Sequence, residues 1–186
     1  MKLSKPILKK IIKESLEDEY KEKLLTIFKA GNHQQAIELS KQVGMKDFLV
    51  DIVLRRADLS GADLSGAYLT GVDLTGAYLF RANLMGANLE DADLKGANLA
   101  FADLKGAFLQ GAILSGADLT GAKLRYAYLK GADLRGANLT FADLKGAILQ
   151  GAILSGADLR VANLQGVDLT NIKYDKDTIW PKGFTP

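Results

Sequence analysis

The chain of 186 residues carries 24 basic and 22 acidic side chains, a formal net charge of +2, with 48 % apolar residues and no cysteine. That balance gives no net charge that would by itself point to a nucleic-acid or acidic-surface partner, and the apolar content argues against a disordered chain. The lack of cysteine removes disulfides, thiol catalysis and thiolate metal sites, and suits a cytoplasmic protein.

Residues 1–51 read as a helical N-terminal capping region of three to four short helices. Ser4 caps the first, with Pro6 in its opening turn, and Ile7, Leu8, Ile11, Ile12 and Leu16 fall near helical spacing. A second carries Tyr20, Leu24, Leu25, Ile27 and Phe28 and stops at Gly31. Asn32 with Gln35 forms a capping box for a third, which ends near Gly44, and a fourth starts at Lys46. Lys9, Lys10 and Lys13 interrupt the first apolar stretch, which argues against a secretory signal.

Residues 52–176 follow another rule. From Leu59 to Leu169 a leucine stands at every fifth position, 23 in strict register. Alanine sits two places before each, except at Val72 and Val167, and the motif reads G-A-D/N-L-x. A helix cannot use this period, because five residues advance about 500° and scatter the leucines around the axis. A flat strand cannot either, because an odd repeat sends successive leucines to opposite faces. The leucines share one interior only if the backbone turns a corner in every repeat, which makes a β-solenoid. Residues 101–119 recur as 141–159 with one change, Phe108 to Ile148. That 40-residue offset fits two four-sided coils of 20 residues and predicts about six coils in all. Glycine suits the corners because it accepts the positive φ of a type II turn. Where Arg81, Asp91, Phe101, Tyr126, Phe141 or Val161 stands instead, the expected turn has negative φ.

Residues 177–186 form a C-terminal cap or tail. Tyr174, Ile179, Trp180 and Phe184 are expected to close the lower end of the leucine core, and Pro181 and Pro186 suit a terminating segment.

The tandem A-D/N-L-x-G pattern resembles the pentapeptide repeat family over about two thirds of the chain. The resemblance implies a right-handed quadrilateral β-helix, mainly β, with the central leucine and the residue two before it turned inward and the other three outward. It is similar to stand-alone cyanobacterial-type members with an N-terminal helical extension, most of which have no assigned activity.

No catalytic, cofactor or metal site is expected. His33 is the single histidine, too few for a histidine-based triad or a multi-histidine metal site within one chain. Ser60, Ser65, Ser115 and Ser155 lie on outer walls without a base. The glycines do not match a phosphate loop. Asp73 and Asp93, one coil apart, read as hydrated carboxylates, and Lys105 and Lys145 are neutralised by Asp103 and Asp143.

One outer column stands apart. Tyr68, Phe108, Tyr128 and Ile148 fall where the repeat usually places Asp or Asn, an apolar strip that reads either as a contact surface or as side-chain stacking that stabilises the sheet. Phe101 and Phe141 add two corner aromatics to the candidate protein-contact strip. The expected function is therefore a noncatalytic scaffold or protein-interaction module. Its expected partner is another protein, a second copy of the chain included, with no nucleic acid and no membrane span. Two alternatives are weaker. A DNA-mimicking, gyrase-binding protein of the same family would be strongly acidic along the rod, whereas residues 51–186 hold fifteen acids and fourteen basic groups. An enzyme would need a site between cap and solenoid, for which the sequence supplies no constellation.

Overall fold

The computed structural model describes Leu54–Pro186 together with Lys23, Thr26 and Gln35, and the chain divides into two compact units, Met1–Phe48 and Leu49–Pro186. In the first unit Lys23, Thr26 and Gln35 are helical and exposed. The caps expected at Ser4 and Asn32, the helix ends at Gly31 and Gly44, and His33 lie outside the described residues.

The second unit is a coil with a fixed repeat. Parallel bridges join each residue before a central leucine to its counterpart 20 positions on: Asp58 to Tyr78, Tyr78 to Asn98, Asn98 to Asp118, and so on. A 20-residue period built from five-residue segments has four sides. We number the sides from their first bridge residues: side one begins at Asp58, side two at Asp63, side three at Tyr68 and side four at Asp73. The interior is the expected one. Leucines from Leu54 to Leu159 are at most 1 % exposed, and most inward alanines are sealed beside them.

Backbone accounting for one segment shows why the repeat has this form. In 117–121, the Ala117 N–H closes the corner turn onto the Leu114 carbonyl at 3.0 Å. The Asp118 N–H donates back one coil to the Ala97 carbonyl at 2.9 Å. The N–H groups of Leu119 and Gly121 donate forward one coil, to the carbonyls of Asn138 (2.7 Å) and Thr140 (2.9 Å). The Thr120 N–H remains, and the Asp118 carboxylate accepts it at 3.0 Å. Every described Asp or Asn before a central leucine makes this same bond to the N–H two residues on. Examples are Asp73 to Thr75 (3.0 Å), Asn98 to Ala100 (3.1 Å) and Asn163 to Gln165 (3.1 Å). The D/N of the repeat is thus a backbone acceptor, and it supplies the fifth hydrogen bond of its side.

The corners overturn one expectation. Arg81, Asp91, Phe101, Tyr126, Phe141 and Val161 all have positive φ, between 55° and 61°, as do Arg56 and Asn171. They do not adopt a different turn. Each of these corners is closed by the turn bond from the residue after it, for instance Ala102 to the Leu99 carbonyl and Ala162 to the Leu159 carbonyl, both at 3.0 Å. All but Val161 and Asn171 add a forward bond from the corner N–H, such as Phe101 to the Thr120 carbonyl at 2.8 Å. The turn bond, with the ladder where it reaches the corner, therefore overrides the local preference of an L residue for negative φ, at about 1–2 kcal/mol per corner.

At the carboxyl end the register slips by one residue: Ile153 pairs with Lys173, but Asp158 pairs with Ile179. Thr178, the buried polar residue there, fills the slip by donating to the Leu154 carbonyl at 2.9 Å and accepting the Asp175 N–H at 3.1 Å. Asp175 in turn accepts the Gly156 N–H at 2.9 Å. The aromatic lid forms but closes only part of the end. Trp180 packs against Tyr174 and Phe184 with ring centroids 5.6 and 5.5 Å apart. Tyr174 and Ile179 stay exposed, Leu164 and Leu169 are half-buried, and an open hollow of about 410 Å³ lies between Leu164 and the tail at Pro181–Phe184. On the last turn the N–H groups of Leu164, Gly166, Leu169 and Asn171 have no acceptor among the described residues.

Candidate protein-contact face

Side three carries Tyr68, Asn88, Phe108, Tyr128, Ile148 and Asp168 as its bridge residues. The rings of Phe108 and Tyr128 stack with centroids 5.0 Å apart and planes 4° from parallel. Parallel strands about 4.8 Å apart set this separation, so the stack follows directly from the ladder. Stacked along the rod, the rings turn their edges outward. Tyr68, Phe108 and Tyr128 are 43 %, 38 % and 39 % exposed.

These substitutions cost hydrogen bonds. Where Phe108, Tyr128 and Ile148 replace Asp or Asn, the N–H groups of Gln110, Lys130 and Gln150 lose their side-chain acceptor and have no other among the described residues. The Gln110 Oε1 is also buried without a partner. Asn88 and Asp168 on the same side keep the bond, to Glu90 and Thr170.

Phe101 and Phe141 do not join this side. They occupy the corner between sides one and two, diagonally across the coil from the corner where side three meets side four. There Phe101 meets the edge of Phe80 at 5.9 Å, and Arg81 lies over Phe80 at 5.0 Å. Ile113 and Ile153 stand on side four, next to side three. The sequence reading missed Tyr126, which is 60 % exposed on the corner leading into side three, with its ring over Gly146. The signal was there: stacked by 20, position 126 immediately precedes the Tyr128 strand.

Part of the wall charge is neutralised locally, though Lys145, expected to pair with Asp143, has no ion pair among the described residues. Asp103 faces Lys105 at 3.8 Å and Lys123 at 3.4 Å, and Asp143 faces Arg125 at 3.5 Å. Asp73 pairs with Arg55 at 3.3 Å. Hydrogen bonds from Arg135 to Asp133, from Arg160 to Asp158 and from Thr75 to Asp73 hold those carboxyls below the usual range. Among the described residues no group of three or more His, Cys, Asp or Glu is placed to hold a metal ion. No described helix is long and apolar enough to cross a membrane.

The family model described as pentapeptide repeats matches this chain in eight copies, over residues 49–84, 73–111, 82–121, 112–151 and 137–173. The chain belongs to the pentapeptide repeat family. Its four-sided coil is the right-handed quadrilateral β-helix of pentapeptide repeat proteins. Among solved structures it is similar to alr5209, a pentapeptide repeat protein from Nostoc Pcc 7120. The two are 45 % identical over 50 % of this chain and 77 % of that one, with a TM-score of 0.50. Rfr23, a pentapeptide repeat protein from the cyanobacterium Cyanothece 51142, is 31 % identical over 74 % of this chain and 99 % of its own, with a TM-score of 0.33. A third, from the Arabidopsis thaliana thylakoid lumen, is 39 % identical over 50 % of this chain and 68 % of its own, with a TM-score of 0.33. No curated protein matches the chain. What these comparisons name is a repeat family and no enzyme family.

Proposed function

We propose that this pentapeptide repeat protein is a noncatalytic cytoplasmic scaffold that acts by presenting side three to another protein. In this reading residues 1–51 are a helical cap, residues 52–176 build about six coils, and residues 177–186 are the tail. Tyr68, Phe108, Tyr128 and Ile148 form the contact strip, with Tyr126 at its edge. Phe101 and Phe141 form a second, separate apolar spot on the far corner.

The observation that carries the reading is the exchange on side three of a backbone-satisfying Asp or Asn for Phe108, Tyr128 and Ile148, which leaves three consecutive N–H groups open. Ring stacking returns part of that loss, about 0.5–1.5 kcal/mol for one aromatic pair. A protein partner offers the strip both apolar cover and carbonyl acceptors.

A photo-crosslinking residue placed at Tyr128 and, as control, at Asn138 on side one tests this in cells. Protein adducts at position 128 and none at 138 are the expected result. Equal labelling at both positions, or none at either, removes side three as the contact face.

A further inference from the structure

We infer that the occupant of side three is a second copy of this chain, packed antiparallel about a two-fold axis running along the Phe108–Gln110 strand. The inference rests on the reading of side three as a contact face and names its partner.

The charges of the face carry the argument. The outward residues after its central leucines are Thr70, Glu90, Gln110, Lys130, Gln150 and Thr170. One anion therefore stands one coil before Gln110 and one cation one coil after it. Neither Glu90 nor Lys130 has an ion-pair partner among the described residues. A two-fold axis lying in the contact plane along the Phe108–Gln110 strand reverses the rod and keeps each column opposite itself. It brings Glu90 of each copy to Lys130 of the other, making two ion pairs. Moving the axis half a coil towards the tail sets Glu90 against Gln150 and Lys130 against Gln110, and pairs neither charge. Turning the axis along the rod sets Glu90 against Asn88 and Lys130 against Tyr128, and again pairs neither.

Shape agrees with the same axis. Phe108 meets Phe108, Tyr68 meets Ile148, and Tyr128 meets Asn88, whose amide nitrogen donates to the phenol oxygen. Tyr126, the bulky corner, meets Gly86, where an added Cβ would find nothing within 4 Å. Gln110 lies on the axis itself. Its unpartnered Oε1, turned outward by rotation of the terminal amide, accepts from the Gln110 amide of the other copy.

The matched rows span five coils about 4.8 Å apart, a strip roughly 20 Å long. That is well short of the ~800 Å² per partner of a standard interface. The dimer is therefore weak, with a dissociation constant on the order of 10–100 µM.

Sedimentation velocity on the full chain from about 1 to 500 µM brackets that range. The expected result is a reversible monomer–dimer equilibrium that E90K or K130E alone weakens by about tenfold or more. The double variant E90K/K130E, which swaps the signs, should return to within about threefold of the original. Circular dichroism of all three variants should match the parent, because neither side chain is bonded within the wall. A strict monomer, a dimer indifferent to either single change, or a double variant that fails to recover overturns the inference. Crosslinking at position 128 then separates the two ideas: adducts to a different protein leave side three as a contact face and remove the second copy, whereas no adducts remove both.

Discussion

The ring of Phe101 stands over Gly121, one coil further on, so closely that a Cβ at Gly121 would lie 2.7 Å from the ring edge. Tyr126 stands over Gly146 in the same way. At these two corners the ring occupies the space that a side chain on the next corner would need, whereas Phe141 is followed one coil on by Val161. Gly131, by contrast, has nothing within 4 Å of an added Cβ. Replacing Gly131 by Ala should cost about 1–2 kcal/mol, the left-handed backbone penalty alone. Gly121→Ala should cost about 1 kcal/mol more, because the ring must leave its contact. Urea melts of both variants check the difference, and adding Phe101→Ala to Gly121→Ala should erase it.

Val161 is the least suited of the corner residues, a β-branched side chain at φ 61° and 65 % exposed, so its side chain gains little from packing. Val161→Gly removes about 1–2 kcal/mol of backbone strain and adds about 0.5–1 kcal/mol of unfolded-state entropy. The expected net effect is a small stabilisation, read as a higher denaturation midpoint. A lower midpoint would show that the corner turn, closed by the Ala162 N–H on the Leu159 carbonyl, does not hold Val161 under strain.

The acceptor role of Asn98 can be isolated because the N–H it receives belongs to Ala100, which is only 6 % exposed. Asn98→Ala leaves that donor without a partner and without water, a loss of about 1–3 kcal/mol. Asp168→Ala bares the N–H of exposed Thr170, which water can serve, and should cost under about 1 kcal/mol. Paired stability measurements that show equal losses would count against the acceptor role.

Acid should weaken the rod through its acceptor carboxylates. Asp133 and Asp158 are held below their ordinary range chiefly by hydrogen bonds from Arg135 and Arg160, and Asp175 chiefly by the Gly156 N–H. Each is more acidic folded than unfolded, so its contribution is complete above the unfolded value of about 3.9 and is lost as pH falls through the lower folded value. Denaturation midpoints should hold from pH 7 to 5 and drop between about pH 4 and 2. Asp133→Asn with Asp158→Asn keeps the Oδ1 that accepts the backbone N–H two residues on but loses the Oδ2 bond to the arginine and removes the titration. It should lower the midpoint at pH 7 while flattening that drop; an unchanged profile would rule these two carboxyls out as its source.

The leucine interior and the four-sided period were legible because they repeat: 23 leucines in one register and a 40-residue duplication leave a single geometry open. The corner conformation at Phe101 and Phe141 was not legible. Local preference argues for negative φ there, and the positive value comes from bonds to a neighbouring coil that no single repeat contains. The candidate site was half visible. Counting by 20 puts Tyr68, Phe108, Tyr128 and Ile148 in one line, yet the place of Phe101 and Phe141 on a distant corner follows only when the sides are taken in order around the coil. The Asp and Asn positions look like solubilising wall residues in sequence. Their function as acceptors for the N–H two residues on requires coordinates.

Because bridges always join residues 20 apart until the slip at Ile179, the rod has a unit in which its length can change. Inserting or duplicating 20 residues lifts everything downstream by one storey and leaves every outer column aligned, as the repeat of 101–119 at 141–159 does over two storeys. Inserting five preserves the core equally well but rotates the downstream part by a quarter-turn, which would bring Tyr128 and Ile148 out of line with Phe108. The interior tolerates any multiple of five, so only what the outside must do selects twenty.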